Sequence, residues 1–505
     1  MTANTEAGTS GKSIVLGIAA LALAAFFVAL HLSTLPSKLR YPGELNFIEG
    51  MPMAEMIHLR QGVPIYAPAS AEGYDATNFG PLYYLLGARL VDPDRPAYFP
   101  LRVLSLIGTL GAAVCAGVMA RWLTGSWLAA VMAPLLFLSY GFVFRHGASA
   151  RSDMVALFLV FAGFALAHRF CASRALLWAA PLMIVGFYYK QQFIAGPIAV
   201  LVFLLLEKRF RLAAAFAALM TAGVLSMLAL FQFVIFSGQA FLRHFVFYNV
   251  LSFTDEAFIS GIGFFAMILL VPFLVSLEFL RLFPDRMLKC YLICAFILSL
   301  ITVARAGSDT YYFLECVLIC SILFSALYAK RLAETARAVE LLVLLIVTLF
   351  VGQWFRTASP SPQNFREDAV VQKYLAERFP PGTRALSYYA GDIVRAGLAL
   401  PFTNLYHYNQ LIRKGVISDR EMIGLLESRR FRLVVLDFDL EAEGPNYYTE
   451  YYMTAPIRAA IQANYQLSSA LEMPGPEKLR EEAKFYIWVP RPQAASDGLA
   501  PGAAK

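Results

Sequence analysis

The chain has 505 residues, 59% of them hydrophobic and only 15% charged, with a formal net charge of +7. A water-soluble protein of that size cannot hide so much apolar surface, whereas a polytopic membrane protein has lipid as its solvent. The excess of Lys and Arg does not point to nucleic acid, because these residues are scattered through short loops between apolar runs, as in positive-inside anchoring.

Residues 1–12 are small and polar and are expected to be disordered. The first apolar run, about Ser13 to Leu32, is longer than a signal-peptide core and lacks a convincing cleavage site, which predicts an uncleaved anchor. A long polar and aromatic segment, 34–98, follows; its "GMPMAEMIHLRQG" has the pattern of an amphipathic interfacial helix. Further apolar runs lie near 100–120, 127–144, 153–170, 175–189, 192–207, 212–236, 261–281, 288–304, 312–329 and 339–356, so the sequence predicts about eleven transmembrane helices.

One alternate set of short loops is basic. It holds Arg121; Arg169 and Arg174; Lys208, Arg209 and Arg211; Arg281, Arg286 and Lys289; and Lys330, Arg331 and Arg337. The opposite set is poor in cations, with Arg243 and Arg305 standing alone in theirs. The basic set is expected to be cytoplasmic. The N-terminus is then inside, and 34–98 and everything after about 357 lie outside, the periplasm in a bacterium. The six cysteines all lie in or beside apolar runs. Cys290/Cys294 and Cys316/Cys320 each share a helix face, which suits small residues at helix contacts better than a metal or redox pair.

Past the linker "TASPSPQNF" the composition changes. "REDAVVQKYLAERF" predicts an amphipathic helix, "RALSYY", "RLVVLDF" and "FYIWVP" predict short buried strands, and "SDREMIGLLESRR" predicts a helix capped by Ser418 with Glu421 completing a capping box. Alternating strands and helices predict a small soluble α/β domain over 357–490. Its "YYAGD" and "DFDLEAEG" read as turn and surface segments, and 491–505 as a disordered tail.

Ionisable residues at a membrane boundary must be solvated or paired. Four clusters fall on the expected outer side. The first loop, opening "YPGELNFIEG", holds Glu44, Glu49, Glu55, His58 and Arg60. "FRHGASARSDM" carries Arg145, His146, Arg151 and Asp153. "FYYKQQ" carries Lys190 and Gln191, and "RAGSDTYYFLE" carries Arg305, Asp309, Tyr311, Tyr312 and Glu315. Convergence on one cavity would combine a carboxylate base for an acceptor hydroxyl, cations for a phosphate leaving group and aromatic rings for a sugar or lipid. No soluble nucleotide donor is expected outside a cell, so a lipid-linked donor fits. Blander readings stand beside these. Glu44 and Glu49 can be solvated boundary residues, Arg145, Arg151 and Lys190 can snorkel to headgroups, and Asp153 can simply stabilise a helix N-terminus. Glu315 lies about a turn inside its span and needs a partner, with Arg305 the nearest in sequence. His146 reads as a loop residue rather than a metal ligand, and no His/Cys spacing supports a zinc site.

"YPGELNFIEGMPMAEMIHLRQGVPIY", "NFGPLYYLLGARL" (with Tyr83), "RHGASARSDMVAL", "YYKQQ" and "AGSDTYYFLE", in this order over residues 13–356, resemble motifs of the GT-C glycosyltransferases. The resemblance is to the bacterial branch allied to protein mannosyltransferases and aminoarabinose transferases, glycosyltransferase family 39-like. It implies an all-α polytopic membrane domain with a small C-terminal α/β domain outside the membrane. It also implies an active site between the first outer loop and the bilayer, a polyprenyl-phosphate sugar donor, and an inverting transfer to a lipid, glycan or protein acceptor. By position Glu44 matches the base, with Glu49 the alternative; Arg145, Arg151 and Lys190 would hold the donor phosphate; His146, Tyr83, Gln191, Asp309, Tyr312 and Glu315 would line the cavity. Asp153 matches an acid that in metal-using relatives helps bind a divalent ion such as Mg or Mn, so Glu44 and Asp153 are the metal-ligand candidates. The first acid of the family is often Asp or Asp-Glu where this chain has "GEL", which leaves base and metal open. The competing expectations are a lipid or solute transporter and a non-catalytic membrane scaffold. The expected location is the bacterial cytoplasmic membrane.

Overall fold

The computed structural model describes residues 11–46, 48–70, 72–354, 356, 358–441, 453–476 and 484–492. Most of the expected disordered segments 1–12 and 491–505, and the end of "DFDLEAEG", lie outside these residues. The chain divides into a helical unit (Met1–Pro68, Ala76–Arg366, Gly475–Glu477) and a C-terminal unit (Ala69–Asp75, Glu367–Pro474, Lys478–Lys505).

Every apolar run forms helix over most of its length. Six helices are long and apolar enough to cross a membrane among the described residues: α1 Gly11–Arg40, α4 Phe99–Thr124, α10 Phe210–Ile235, α11 Asp255–Leu282, α12 Arg286–Val303 and α13 Thr310–Arg331. Between α1 and α4 lie the shorter α2 Gly50–Arg60 and α3 Pro81–Leu90. The run at 127–144 is not one straight span. It breaks into α5 Trp127–Ser139 and α6 Gly141–Gly147, bent by 78°. At the break the Gly141 N–H donates to the Gly352 carbonyl at 2.9 Å instead of continuing the helix ladder. α7 Asp153–Arg169, α8 Arg174–Tyr189, α9 Ala195–Leu206 and α14 Thr335–Val351 complete the set.

Burial separates the helices. α13 is central, with 94% of its apolar window inside the protein, whereas α10 is peripheral, with 11%. The centre takes small residues, and Cys316, Cys320, Ser321 and Ser325 of α13 are buried there. The six cysteines are free thiols. α4 and α7 meet backbone to backbone: a Cβ on Gly108 would lie 2.5 Å from the Val155 nitrogen. α2 departs from the interfacial expectation. All residues from Gly50 to Ile57 are buried, because Met56 packs over Gly87 of α3, where a Cβ would meet its sulfur at 2.3 Å.

The C-terminal unit is built on a four-stranded sheet of order β1-β2-β4-β3, with β1 Ala385–Ser387, β2 Leu433–Leu436, β3 Tyr465–Glu472 and β4 Lys484–Pro490. β1 and β2 are parallel and the other pairs antiparallel. The three expected strands form, and Trp488 is fully buried between them. β3 was not expected, because "YQLSSALE" is a largely exposed edge strand without an apolar run. The expected cap shifts by one residue: the Ser418 hydroxyl accepts from Arg420 N–H at 3.2 Å, and the helix begins at Arg420 with Asp419 before it. The first-loop residues 69–75 belong to this unit, where the Tyr74 hydroxyl meets His407 Nδ1 at 2.7 Å.

Asp368 and Asp392, both buried, share Arg395, which binds Asp368 through two hydrogen bonds of 2.7 and 2.8 Å. Burial, with Asp368 adding to it against the pull of Arg395, lifts the Asp392 carboxyl to about 6. The folded unit therefore keeps a proton that the unfolded chain releases above its ordinary value of 3.8. The stabilisation is complete below that value and lost as pH rises through about 6, at most about 3 kcal/mol. Pulse proteolysis in urea from pH 4 to 7 should show the C-terminal unit weakening across this window, and Asp392→Asn should flatten the profile.

Candidate active site

The end of the helical unit where α7 begins and α8 ends gathers the charged clusters. Asp153, at the first position of α7, is fully buried. Arg151 Nε donates to its Oδ2 at 2.8 Å, and Lys190 Nζ donates to its Oδ1. One carboxylate thus faces two buried cations. Tyr311, in the turn that opens α13, carries both: Lys190 Nζ lies 4.0 Å and the Arg151 guanidinium 4.6 Å from the ring centre. Phe79, just before α3, flanks Lys190 from another side, at 5.1 Å. Aromatic faces hold cations without consuming their hydrogen-bond donors.

The loop reaches this place through a close backbone approach. Gly80 N–H donates to the Tyr189 carbonyl at 3.2 Å, and a Cβ there would lie 2.1 Å from the Tyr188 oxygen, so only glycine fits. Tyr83, one helical turn on, is fully buried with its ring 5.8 Å from Tyr189. Neither hydroxyl finds a hydrogen-bond partner among the described residues. His146 is buried edge-on to Tyr311, with Nε2 3.4 Å from the Thr310 hydroxyl. Asp309 binds Thr310 N–H at 2.6 Å and lies within electrostatic range of His146, Arg145 and Arg151. Tyr312 accepts from Arg305 at 2.7 Å.

Two of the expected cavity residues turn to other partners. Gln191 donates to the Phe245 carbonyl at 3.3 Å. Glu315 accepts from the Tyr291 hydroxyl at 3.1 Å, not from Arg305.

The two first-loop acids differ sharply. Glu49 is fully buried. Its Oε1 accepts from Arg102 Nε at 3.1 Å and from Ala150 N–H at 2.5 Å, and its Oε2 from Arg102 Nη2 at 2.6 Å and from Leu45 N–H at 2.7 Å. Glu44 is half-buried on the same turn. The turn reaches the Asp153 region through Glu49–Ala150 and through Asn46, whose amide donates to the Ser149 hydroxyl at 3.4 Å. Arg102, Tyr311 as a cation platform, and Phe79 were not singled out from the sequence. Arg102 left a signal: it is a single arginine in the first turn of an apolar helix, which must have a partner.

Both oxygens of Asp153 face cations, and no group of three His, Cys, Asp or Glu side chains suited to a metal occurs among the described residues.

No family model and no curated protein matches the chain in sequence. Its fold does match solved structures. ArnT from Cupriavidus metallidurans, bound to undecaprenyl phosphate and in the apo state, aligns in both forms with a TM-score of 0.54 and 12% identity, over 92% of this chain and 97% of that one. The Archaeoglobus fulgidus oligosaccharyltransferase, in complex with Zn and sulfate, aligns over 89% of this chain and 71% of that one at 13% identity, with a TM-score of 0.48, too low to bear on the site. The chain has the fold of the GT-C membrane glycosyltransferases, an all-α membrane domain carrying a small α/β domain.

Asp153→Asn would leave Arg151 and Lys190 buried against aromatic faces without their paired carboxylate. Breaking a buried pair in this way costs on the order of 3–5 kcal/mol. The variant should melt at a lower temperature in detergent, and the double replacement Asp153→Asn/Lys190→Met should recover part of the loss.

Proposed function

We propose that this protein is a membrane glycosyltransferase. It moves a sugar from a polyprenyl-phosphate donor to a hydroxyl of a lipid, glycan or protein acceptor, at the outer face of the cytoplasmic membrane. The observation that carries the reading is the Arg151–Asp153–Lys190 cluster, with two buried cations on one carboxylate at the end of a helical bundle. Such a cluster has positive charge to spare for an anion that arrives from the membrane. The GT-C fold supports a lipid-linked sugar donor, since the similar ArnT structure holds undecaprenyl phosphate.

In this mechanism the acceptor oxygen attacks the anomeric carbon from the face opposite the phosphate. The new C–O bond forms as the bond from the anomeric carbon to the phosphate oxygen breaks, and the configuration inverts. The leaving polyprenyl phosphate takes the bonding electron pair and gains one negative charge, which Arg151 and Lys190 stabilise. The acceptor proton passes to Glu44. Glu49 does not suit this role, because a general base needs a lone pair for the incoming proton and four N–H groups already occupy the Glu49 carboxylate. Asp153 serves as the countercharge that keeps both cations aimed. No step is routed through a metal. The basic short loops support a topology with the N-terminus in the cytoplasm and with the cluster and the C-terminal unit outside. A transporter would need ionisable groups along a mid-membrane path between related halves, whereas the Arg151–Asp153–Lys190 cluster sits at helix ends.

Purified protein in detergent with a polyprenyl-phosphate sugar and an acceptor extract provides the test. Glu44→Gln should lower transfer at least ~100-fold, and Lys190→Ala should weaken donor use. Wild-type protein without transfer from any such donor, or full activity in Glu44→Gln, would overturn the assignment. Mass spectrometry of glycans and lipids from cells with and without the gene identifies the product.

A further inference from the structure

Arg102 enters the bundle in the first turn of α4 and is fully buried. A guanidinium has five N–H donors, and all five are engaged. Nη1 donates to the carbonyls of Lys38 at 3.0 Å and Tyr41 at 2.5 Å. Nη2 donates to the Gly43 carbonyl at 2.7 Å and to Glu49 at 2.6 Å, and Nε donates to Glu49 at 3.1 Å. Its plane rests 4.9 Å from the centre of the Tyr98 ring. Glu49 passes the connection on, because the same carboxylate binds Leu45 N–H within the first turn and Ala150 N–H in the turn before α7.

We propose that Arg102 is a positioning residue for sugar transfer: through Glu49 it locks the turn 43–49, which carries Glu44, onto the turn 149–153, which carries Arg151 and Asp153. The proposal rests on the transferase reading above. It gives the base and the phosphate-binding cations a fixed separation although they come from segments about a hundred residues apart in sequence. The geometry needs arginine. Lysine keeps the charge but brings three donors from one point and cannot span three carbonyls and a carboxylate. Misplacement of a reacting group by about 1 Å can cost 10²-fold in rate, so a small relaxation of either turn is felt in kcat.

The test uses the full-length protein in detergent, with donor kinetics, thermal melting and hydrogen–deuterium exchange. Arg102→Lys is expected to lower kcat about 100-fold while the KM for the donor stays within about twofold. It should also speed exchange of the amides of both turns, 43–49 and 149–153, together. The double replacement Arg102→Leu/Glu49→Leu removes both buried charges, so it should melt higher than either single replacement yet keep the low kcat. Glu49→Gln should keep the acidic limb of its residual pH–rate profile, and Glu44→Gln should lose it. The proposal is overturned if kcat recovers with melting temperature in the double variant, which marks a purely structural pair. It is equally overturned if the acidic limb disappears in Glu49→Gln and survives in Glu44→Gln, which makes Glu49 the base. Wild-type protein that transfers no sugar overturns the transferase reading instead. Exchange then decides the lock by itself: loosening of both turns upholds it and loosening of one alone overturns it.

Discussion

The Arg102–Glu49 pair is the interaction on which the end of the helical unit around the start of α7 depends. Both groups are buried in a chain whose surroundings are overwhelmingly apolar. A buried ion pair is tolerated only when the remaining donors and lone pairs are satisfied. The requirement is met almost entirely by backbone: three carbonyls around the end of α1 and two N–H groups, one in each of two turns. Satisfying the charges therefore fixes the chain. The irregular backbone of both turns, buried within the unit, receives its partners from the same network.

The same economy recurs around the candidate site. Glu55 binds Thr77 N–H at 2.9 Å, and Asp309 binds Thr310 N–H at 2.6 Å. Each of these acids secures a turn of the helical unit. Asp153 is the exception among them, since its oxygens are described with cations rather than backbone. That difference separates acids that shape the site from the acid that sets its charge.

Much of the architecture was legible in the sequence. The apolar runs are long and uniform, and lipid makes length and composition nearly sufficient to define a helix. The order of the short motifs carried the GT-C resemblance, and the three apolar strands of the C-terminal unit were visible as buried runs. What escaped lacked a period or an apolar signal. β3 is an exposed edge strand, the bend between α5 and α6 follows from a hydrogen bond to Gly352, and α2 looks interfacial until α3 covers it. The pairing of charges was also hidden. Sequence proximity suggested Arg305 for Glu315, yet the partner is Tyr291, brought close by helix packing.

By itself the sequence determined the solvent of this protein, its helices, the division into a membrane part and an α/β part, and which ionisable residues gather at the ends of spans. These follow from composition and periodicity, which act locally. Tertiary structure alone decided how the charges are shared. It joined Asp153 to both Arg151 and Lys190 over Tyr311, and it gave Glu49 to Arg102 while leaving Glu44 half-buried. The physical reason is that a carboxylate's partner is set by which N–H groups converge in three dimensions. Two glutamates five residues apart can look alike in the sequence and differ in burial in the fold.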